Sequence, residues 1–596
     1  MGNFDEILTA CTYPSAVKTV TIAVNDDSDN FNSSPTALNS GTERVAAIDY
    51  AGDVDCFSFT PQETGSYKIY SSGSVDLKGI LYENDKKTAI GTSYNAPESI
   101  NFKLARTLEK NKTYYIRVDA EINGATGRYS INIEKIDEPN DIYFKNQWSI
   151  LNKGDFTVFD NKYKSKVGCD INVLPVWEYT KGSGVNIAVV DTGVEITHED
   201  LKNSISTSCQ GYNYVHQNSN VYNTDEEINP PDWEWIVSDE STDPRDVGEY
   251  WRRYGCMDKH GHGTHVSGII AAEQNNTDGI SGIAPESKIV PIKVLGMPIN
   301  NVPTYNQDIY NLIYAIKYIK DNNIEIANMS VDFWGYSEMS ILELETAMKK
   351  ASKTLFVVAA GNNGVDLSND SDHYPACADV ENIIVVANLK SDGMLSPDSN
   401  YGGNTSIAAP GTNIFSSYPN SDYLLRSGTS MAAPHVSGAA ALIKSYYTNL
   451  TPLEIKQSFI GANNVSYDSK LSDKISSSGS LNVWNSFCND SPIPRKAPRR
   501  SNDKSIKERI LDMKRTARKS SFTNRVFVNI SDEIDKITLL HELVPNADII
   551  EEIQLTGSFV IEFKTVEEAI SSIEVLNENE SVIYAEPVYN TRLSFN

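Results

Sequence analysis

Hydrophobic positions follow a period of two along the first part of the chain. Between residues 17 and 136, turn-forming Gly, Asn, Asp and Ser residues separate short runs of alternating apolar and polar side chains, at residues 19–24, 67–70, 114–118 and 129–133. Short alternating strands at this spacing are typical of an antiparallel β-sandwich. We therefore predict a β-sandwich for residues 17–136.

The pattern changes between residues 140 and 490. Segments of helical character separate continuous apolar runs rich in β-branched residues, at residues 185–190, 288–295, 324–328, 355–360 and 383–386. Continuous apolar strands that alternate with helices predict an α/β fold with a doubly wound, mostly parallel sheet. A long acidic and aromatic segment, residues 201–259, interrupts the pattern. It is either a loop that shapes a substrate site or a surface elaboration.

The C-terminal part has a third pattern. Residues 491–520 are rich in Pro, Ser, Lys and Arg, which predicts a flexible basic linker. Residues 521–596 then alternate between strand and helix, with strand candidates at 525–530, 549–554, 559–563 and 582–586 and helix candidates at 534–544 and 566–576. The order βαββαβ predicts a ferredoxin-like α+β domain.

Charge and cysteine content exclude several function classes. The 596 residues carry a formal net charge of −27, which argues against nucleic acid or an anionic membrane as a partner. No apolar run is long enough to span a membrane. The seven cysteines are scattered and none forms a Cys-x-x-Cys pair, so neither a disulfide framework nor a zinc site is indicated.

Residues 427–438 combine a glycine turn with the start of a helix. Small residues surround Ser430, and the alanine-rich run that follows favours a helix. Pro434 fits this interpretation because proline is tolerated in the first turn of a helix. The N–H groups and dipole at a helix N-terminus favour a developing negative charge. Ser430 is therefore a candidate nucleophile, although a serine in such a turn is by itself more often a helix cap.

Two other stretches supply the partners that a serine nucleophile needs. The apolar run at residues 185–190 ends in Asp191, where open α/β sheets place their chemistry. His262 stands between glycines at the start of an apolar helical segment. Asp191, His262 and Ser430 fit nucleophilic acyl transfer, in which the histidine takes the serine proton and the aspartate orients the histidine.

These motifs resemble those of the subtilisin-like serine proteases, the subtilases. The matching stretches are Asp-Thr-Gly at Asp191, His-Gly-Thr-His-Val-Ser-Gly at His262 and Gly-Thr-Ser-Met-Ala-Ala-Pro-His at Ser430. The stretch Ala-Ala-Gly-Asn-Asn-Gly resembles the family's oxyanion segment, which makes Asn362 the oxyanion donor. The resemblance implies a serine endopeptidase that acts on protein or peptide substrates. The alternative from another class is a catalytically silent binding protein with the subtilase fold.

The same resemblance implies a substrate-binding strand at residues 328–335, with Ser330, Val331, Asp332 and Phe333 as the candidate contacts. The family often has glycines where Asp332 and Phe333 stand. We therefore expect a bulkier, acidic rim that favours basic side chains of the substrate by charge. We also expect His373 near the floor of the pocket that receives the side chain before the scissile bond, where it would restrict that pocket.

A calcium site is the next implication of the resemblance. Asp200 follows Asp191 by nine positions, and residues 274–285 resemble the subtilase calcium loop. Asn276 would offer a side-chain oxygen, whereas Gln274, Asp278 and Ile280 would offer carbonyl oxygens. Such oxygen ligands suit a hard cation, so we expect structural calcium; the alternative is a calcium-free loop.

Both flanking regions also resemble domains of known proteases. Residues 52–60 resemble the bacterial pre-peptidase C-terminal domain, and residues 581–587 resemble the end of a subtilase propeptide, an inhibitory domain that normally precedes the catalytic one. We therefore expect residues 521–596 to inhibit the catalytic domain in cis or in trans, with the tail lying product-like in the cleft. The first 20 residues lack a secretory signal. By sequence the chain is therefore expected to be cytoplasmic. Because the domain set resembles that of secreted proteases, export by another route and a missing leader remain the alternatives.

Overall fold

The computed structural model describes most of the chain between residues 35 and 593, and the chain divides into two compact units. The described residues are 35–93, 97, 99–121, 125–158, 161–209, 211–214, 260–295, 309–334, 338–369, 372–461, 464–488, 522–530, 536–553, 558–565, 568–569, 572, 576, 582–589 and 592–593. The first unit contains the described residues up to 60 together with residues 69–104 and 113–133. The second contains residues 61–68 and 105–112 and the described residues from 134 onward.

The described residues of the N-terminal region form nine strands. They are β1 (Thr36–Ala37), β2 (Arg44–Ile48), β3 (Val54–Phe59), β4 (Gly65–Gly73), β5 (Leu77–Tyr82), β6 (Ala89–Ser93), β7 (Lys103–Leu108), β8 (Tyr114–Ala120) and β9 (Gly127–Lys135). Five form a sheet in the order β1-β3-β8-β5-β6, and four form a sheet in the order β2-β9-β4-β7. Buried and partly exposed side chains alternate along β5, as in a strand with one face in a core. The expected strand at residues 19–24 lies outside the described residues.

A nine-stranded, mostly parallel sheet forms the centre of residues 140–490, hereafter the catalytic region. This sheet confirms the α/β class predicted for these residues. Its strands are β12 (Asn186–Asp191), β13 (Tyr212–Asn213), β14 (Lys288–Lys293), β15 (Ile326–Met329), β17 (Leu355–Ala359), β18 (Ile383–Leu389), β19 (Ile407–Pro410), β22 (Ser466–Tyr467) and β23 (Gly479–Ser480). Their order is β13-β14-β12-β15-β17-β18-β19-β23-β22. The smaller strands of this region are β10 (Thr157–Val158), β11 (Asn161–Lys162), β16 (Phe333–Trp334), β20 (Ile414–Tyr418) and β21 (Asp422–Arg426).

Alternate residues of the central strand face two separate cores. Ile187 and Val189 of β12 belong to one buried cluster, and Ala188 and Val190 belong to the other. The helices around the sheet are α1 (His262–Ala271), α2 (Ile309–Asp321), α3 (Glu338–Lys350), α4 (Thr429–Tyr446), α5 (Pro452–Ile460) and α6 (Val483–Cys488). Helices α1 and α4 contribute to the first core, and α2 and α3 contribute to the second. A sheet covered on both faces explains why these strands are continuously apolar.

The C-terminal region folds around its own small core. Helix α7 (Lys536–Leu543) accompanies strands β24 (Phe522–Ile530), β25 (Asp548–Ile553), β26 (Ser558–Glu562) and β27 (Val582–Tyr589). All pairs are antiparallel, in the order β25-β26-β24-β27. Val526, Leu540 and Ile561 are buried together. The predicted linker, residues 491–520, lies outside the described residues. No helix in the described part of the chain has the length and apolarity that crossing a membrane requires.

One buried amide ties helix α4 to the sheet. Asn328 in β15 accepts a hydrogen bond from Ser437 Oγ at 2.8 Å and donates from Nδ2 to Ser330 Oγ at 2.9 Å. Asn328 and Ser437 have no exposed surface. Because buried polar groups are costly when their partners are removed, this contact fixes α4 against the strand beside it.

Asn328→Ala is expected to lower the free energy of unfolding of residues 140–490 by about 2–3 kcal/mol, since it removes one hydrogen bond from each of two buried hydroxyl groups, those of Ser330 and Ser437. Denaturant unfolding measures this change. Ser437→Ala and the double variant complete a thermodynamic cycle, in which the double variant should lose less stability than the two single losses combined. Additive losses, within about 0.5 kcal/mol, would show that the two side chains are not coupled.

Candidate active site

Asp191 and His262 form a buried pair. Asp191 is the last residue of β12, His262 is the first residue of α1, and neither has exposed surface. The distance from His262 Nδ1 to Asp191 Oδ1 is 2.7 Å. A carboxylate can only accept here, so Nδ1 carries the proton and Nε2 keeps the basic lone pair. The local geometry therefore prepares His262 to act as a base through Nε2.

Two glycines allow this close approach. Gly261 precedes His262 with a φ of +82°, a conformation that favours glycine. Gly263 donates its N–H to Thr192 Oγ at 3.0 Å. A side chain on Gly263 would overlap the carbonyl oxygen of Gly193. The glycines around His262 thus bring the helix start directly onto the end of β12.

Ser430 is the second residue of α4, and its backbone is held from outside the helix. Pro434 lies in the second turn rather than in the first, so the sequence expectation for this proline was wrong. Proline has no N–H to donate to the carbonyl four residues earlier, which is that of Ser430. Ser330 Oγ donates to this carbonyl at 2.8 Å instead, and Ser430 Oγ donates to Ser330 O at 3.3 Å. Ser430, the candidate nucleophile, is therefore bound to the predicted substrate strand.

The side chain of Asn362 has a defined orientation. Its Oδ1 accepts from the Thr429 N–H at 2.8 Å and from Thr429 Oγ at 3.1 Å. A backbone N–H requires an acceptor, so these contacts fix the oxygen end of the amide. The NH2 end of Asn362 is therefore the donor end of the side chain, and the amide lies beside Gly428, the N-cap of α4. The structure thus places the Asn362 side chain against Thr429, the residue before Ser430.

The predicted substrate strand is the edge segment that leads into β16. The N–H of Phe333 donates to Tyr374 O, and the N–H of Tyr374 donates to Phe333 O, both at 2.8 Å. On its other side β16 pairs antiparallel with β28 (Arg592–Leu593), with Phe333 opposite Leu593 and Trp334 opposite Arg592. The C-terminal tail therefore lies against the edge that the sequence assigns to substrate.

Asp332 differs from the sequence expectation. Asp332 is only 5 % exposed, as is His373, and His373 Nδ1 lies 3.0 Å from Asp332 Oδ2. A side chain on Gly361, the residue before Asn362, would overlap the Asp332 carboxylate. Asp332 is therefore an inward-facing partner of His373 rather than an exposed acidic rim, because the strand turns this side chain toward the neighbouring backbone. Val331 and Phe333 are also buried.

The predicted calcium residues come together in part. Asp200 is buried and accepts from Asn276 Nδ2 at 3.0 Å and from the Ile280 N–H at 2.9 Å. Burial raises the pKa of Asp200 to about 7, and the charge of Asp141 acts in the same direction. Asn276 Oδ1 accepts from the Asp278 N–H at 2.8 Å, so the amide presents its nitrogen to Asp200. Gln274 precedes these residues in the same loop.

Asp141 lies against this loop, and sequence reasoning missed it. It is buried, accepts from the Asn276 N–H at 3.0 Å and from Ser281 Oγ, and belongs to the segment before the first catalytic strand. Among the described residues, no Lys or Arg side chain contacts the carboxylate of Asp141 or Asp200. Two buried carboxylates from different segments meet the loop at Asn276, a set that suits a hard cation. The Asn276 side-chain oxygen would join them only with the amide turned from its present orientation. The signal in the sequence was the acidic residue itself, 135 positions before Asn276.

Comparison with known proteins agrees with this geometry. The family model described as "Subtilase family" matches residues 182–479. The thermophilic serine proteinase of Bacillus sp. (strain AK1) is 34 % identical over 306 residues, which is 51 % of this chain and 60 % of that protein. The chain thus spans less than two thirds of the length of this relative.

Two further relatives are matched over more of their length. The major intracellular serine protease of Bacillus subtilis (strain 168) is 36 % identical over 291 residues, which is 46 % of this chain and 77 % of that protein. Subtilisin DY of Bacillus licheniformis is 32 % identical over 276 residues, which is 46 % of this chain and 82 % of that protein. The chain therefore belongs to the subtilase family, the subtilisin-like serine endopeptidases.

Proposed function

We propose that this chain hydrolyses peptide bonds through an acyl-enzyme formed on Ser430. The observation that carries the proposal is the buried 2.7 Å hydrogen bond between His262 and Asp191, which fixes the tautomer of the base. His262 Nε2 takes the Ser430 proton as Oγ attacks the substrate carbonyl, and then gives it to the leaving amine. Asp191 orients the ring and stabilises the imidazolium. Water then attacks the acyl-enzyme with His262 again as the base, which frees Ser430.

Asn362 and the backbone N–H of Ser430 would stabilise the oxyanion. The orientation of Asn362, with its oxygen held by Thr429, supports this role because the amide nitrogen needs no rearrangement to donate. Donors that are already in place act on charge that develops only in the transition state. This is the effect expected to raise kcat rather than to lower KM.

Residues 330–334 would bind substrate as an added strand. Phe333 directs its N–H and C=O toward Tyr374, so the alternation of an antiparallel ladder leaves those of Asp332 and Trp334 for the other side. An extended peptide on that side would gain main-chain hydrogen bonds. The exchange of hydrogen bonds between Ser330 and Ser430 would place the peptide next to the nucleophile.

The C-terminal domain would inhibit the same site. The pairing of β28 with β16 supports this proposal, because it occupies the substrate edge with a segment of the chain itself. A tethered segment competes with substrate at an effective concentration that depends on the linker. Release of the segment, or cleavage of residues 491–520, would then open the site.

Calcium would bind between Asp200 and the loop that contains Asn276. Asp141, Asp200 and the amide oxygen of Asn276 would be the side-chain ligands, with carbonyl oxygens from Gln274, Asp278 and Ile280. The cation would neutralise the two buried carboxylates and join residues 140–143 to the calcium loop, an arrangement that stabilises the fold.

Ser430→Ala is expected to abolish labelling by a fluorophosphonate probe and to lower kcat by roughly 10⁶-fold, since the acyl-enzyme requires Oγ. The measurements are gel detection of the probe and release of a chromogenic peptide anilide. Labelling that persists in Ser430→Ala would show that another residue is the nucleophile. A wild-type chain that is neither labelled nor active, even without residues 590–596, would instead favour the silent binding protein.

Arg592→Pro in the full chain is expected to raise kcat/KM on a short peptide by about tenfold or more, because proline removes the N–H that pairs with Trp334. Arg592→Ala is the matched control, since it keeps the backbone donor and should raise activity much less. Equal activity of wild type, Arg592→Pro and a chain without residues 590–596 would contradict inhibition by the tail.

Chelation with EGTA is expected to lower the Tm of the catalytic region, because a ligand bound only to the folded state stabilises it by mass action. Asp200→Ala should remove this sensitivity, whereas Asp278→Ala should retain it, since only the carbonyl of Asp278 is proposed as a ligand. Calcium content by elemental analysis is the second readout. An unchanged Tm in EGTA and no copurifying calcium would contradict the site.

A further inference from the structure

The hairpin β20–β21 lies across the residues that lead into His262. Tyr418, at the end of β20, donates from its hydroxyl to His260 O at 3.4 Å. Arg426, at the end of β21, donates from its guanidinium to the same carbonyl at 3.3 Å. Two side chains of one hairpin therefore hold the backbone two residues before the catalytic base.

Tyr418 also limits the conformation of Gly261. A side chain on Gly261 would overlap the Tyr418 ring, so the ring packs directly on the backbone of the N-cap. Gly261 holds a φ of +82°, which turns the chain into α1 at His262. The aromatic ring thus covers the single turn that sets the direction of the helix start.

Tyr418 and Arg426 act from the same face of the hairpin. Arg426 pairs with Ile414, and Tyr418 is four residues beyond Ile414 on the same strand, so both side chains leave on one side of the ladder. The Arg426 guanidinium lies 5.4 Å from the centre of the Tyr418 ring, a cation–π contact that keeps the two donors together.

The hairpin is itself anchored on α1. His265 Nε2 lies 3.1 Å from Ile414 O and 3.0 Å from Leu424 O, one carbonyl on each strand. Ser416 Oγ donates to His265 O at 2.7 Å. Burial lowers the pKa of His265 to about 3, so it remains a neutral structural contact at working pH. The hairpin is therefore a rigid support for residues 260–262.

The same hairpin leads directly to the nucleophile. Only residues 427–429 separate Arg426 from Ser430. The Asn413 N–H donates to Ser427 Oγ at 2.9 Å, and the Gly428 N–H donates to Gly411 O at 2.8 Å, which fix this short connection. The hairpin β20–β21 therefore contacts the backbone just before His262 and is joined to Ser430 by a short connection.

We propose that Tyr418 and Arg426 are positioning residues that aim the imidazole of His262 at Ser430 by holding His260 and Gly261. The proposal rests on the proposed function, in which His262 exchanges a proton with Ser430. The hydrogen bond to Asp191 fixes only Nδ1 of His262. The imidazole ring could still rotate about that hydrogen bond, so the backbone at the start of α1 sets the direction in which Nε2 points. A misplacement of the order of 1 Å at a reacting group costs roughly 10²-fold in rate.

Three variants of the full chain test the proposal: Tyr418→Phe, Arg426→Leu and the double variant. Each single change is expected to lower kcat on a peptide anilide by roughly 10- to 100-fold with KM within about twofold, because substrate binding is untouched. The loss should be smaller on an activated ester, whose leaving group needs less proton donation from His262. The double variant should lose less than the product of the single losses, since both donors hold one carbonyl.

Controls separate this inference from general stability and from the proposed function. Leu424→Ala changes a side chain of the same hairpin that is 39 % exposed and should leave kcat and KM unchanged. Thermal melting of each variant shows whether the fold is retained, and Tyr418→Phe keeps the ring in case Arg426→Leu does not fold. Unchanged kcat in a folded Tyr418→Phe variant and in Arg426→Leu, or equal losses on anilide and ester, would overturn the positioning role. Activity that survives Ser430→Ala would overturn the proposed function instead.

Discussion

The burial of the Asp191 carboxylate is the constraint on which the active site depends. A carboxylate without exposed surface is costly unless donors surround it, and Asp191 Oδ1 receives two of them, from His262 Nδ1 and the Thr192 N–H, both at 2.7 Å. His262 can donate to Asp191 only because helix α1 begins at His262, directly beside the end of β12. Glycines before and after His262 are what permit that approach, and hairpin β20–β21 covers the outside of the same turn.

The α/β fold of residues 140–490 and the meeting of Asp191 with His262 were largely readable from the sequence because their signals are local. The continuous apolar run of β12 ends at Asp191, and glycines mark the helix start at His262. Contacts between distant segments were not readable in this way. The pairing of Asp332 with His373, 41 positions later, depends on which way a short edge strand turns its side chains. Asp141 reaches the loop that contains Asn276 across 135 positions, and the contacts of Tyr418 and Arg426 with His260 span more than 150 positions.

The arrangement of the C-terminal region has a physical consequence for specificity. The antiparallel sheet β25-β26-β24-β27 has its own core, yet the strand that follows it pairs with the catalytic region. Pairing through main-chain groups requires little of the side chains. If this edge binds substrate, as proposed above, it would accept many peptide sequences, and selectivity would come from neighbouring side chains such as Asp332 and His373.

Pro434 gives helix α4 an unusual relation to its own first turn. Pro434 cannot donate a hydrogen bond to the Ser430 carbonyl, and Ser330 donates to it instead. The position of Ser430 therefore depends on the strand that contains Ser330 as well as on helix α4. Beyond the proline, Ser437 is held by Asn328, whose amide also donates to Ser330. The segment around β15 therefore fixes α4 on both sides of the break at Pro434. The place of Ser430 is thus set by the sheet and not by an unbroken run of helical hydrogen bonds.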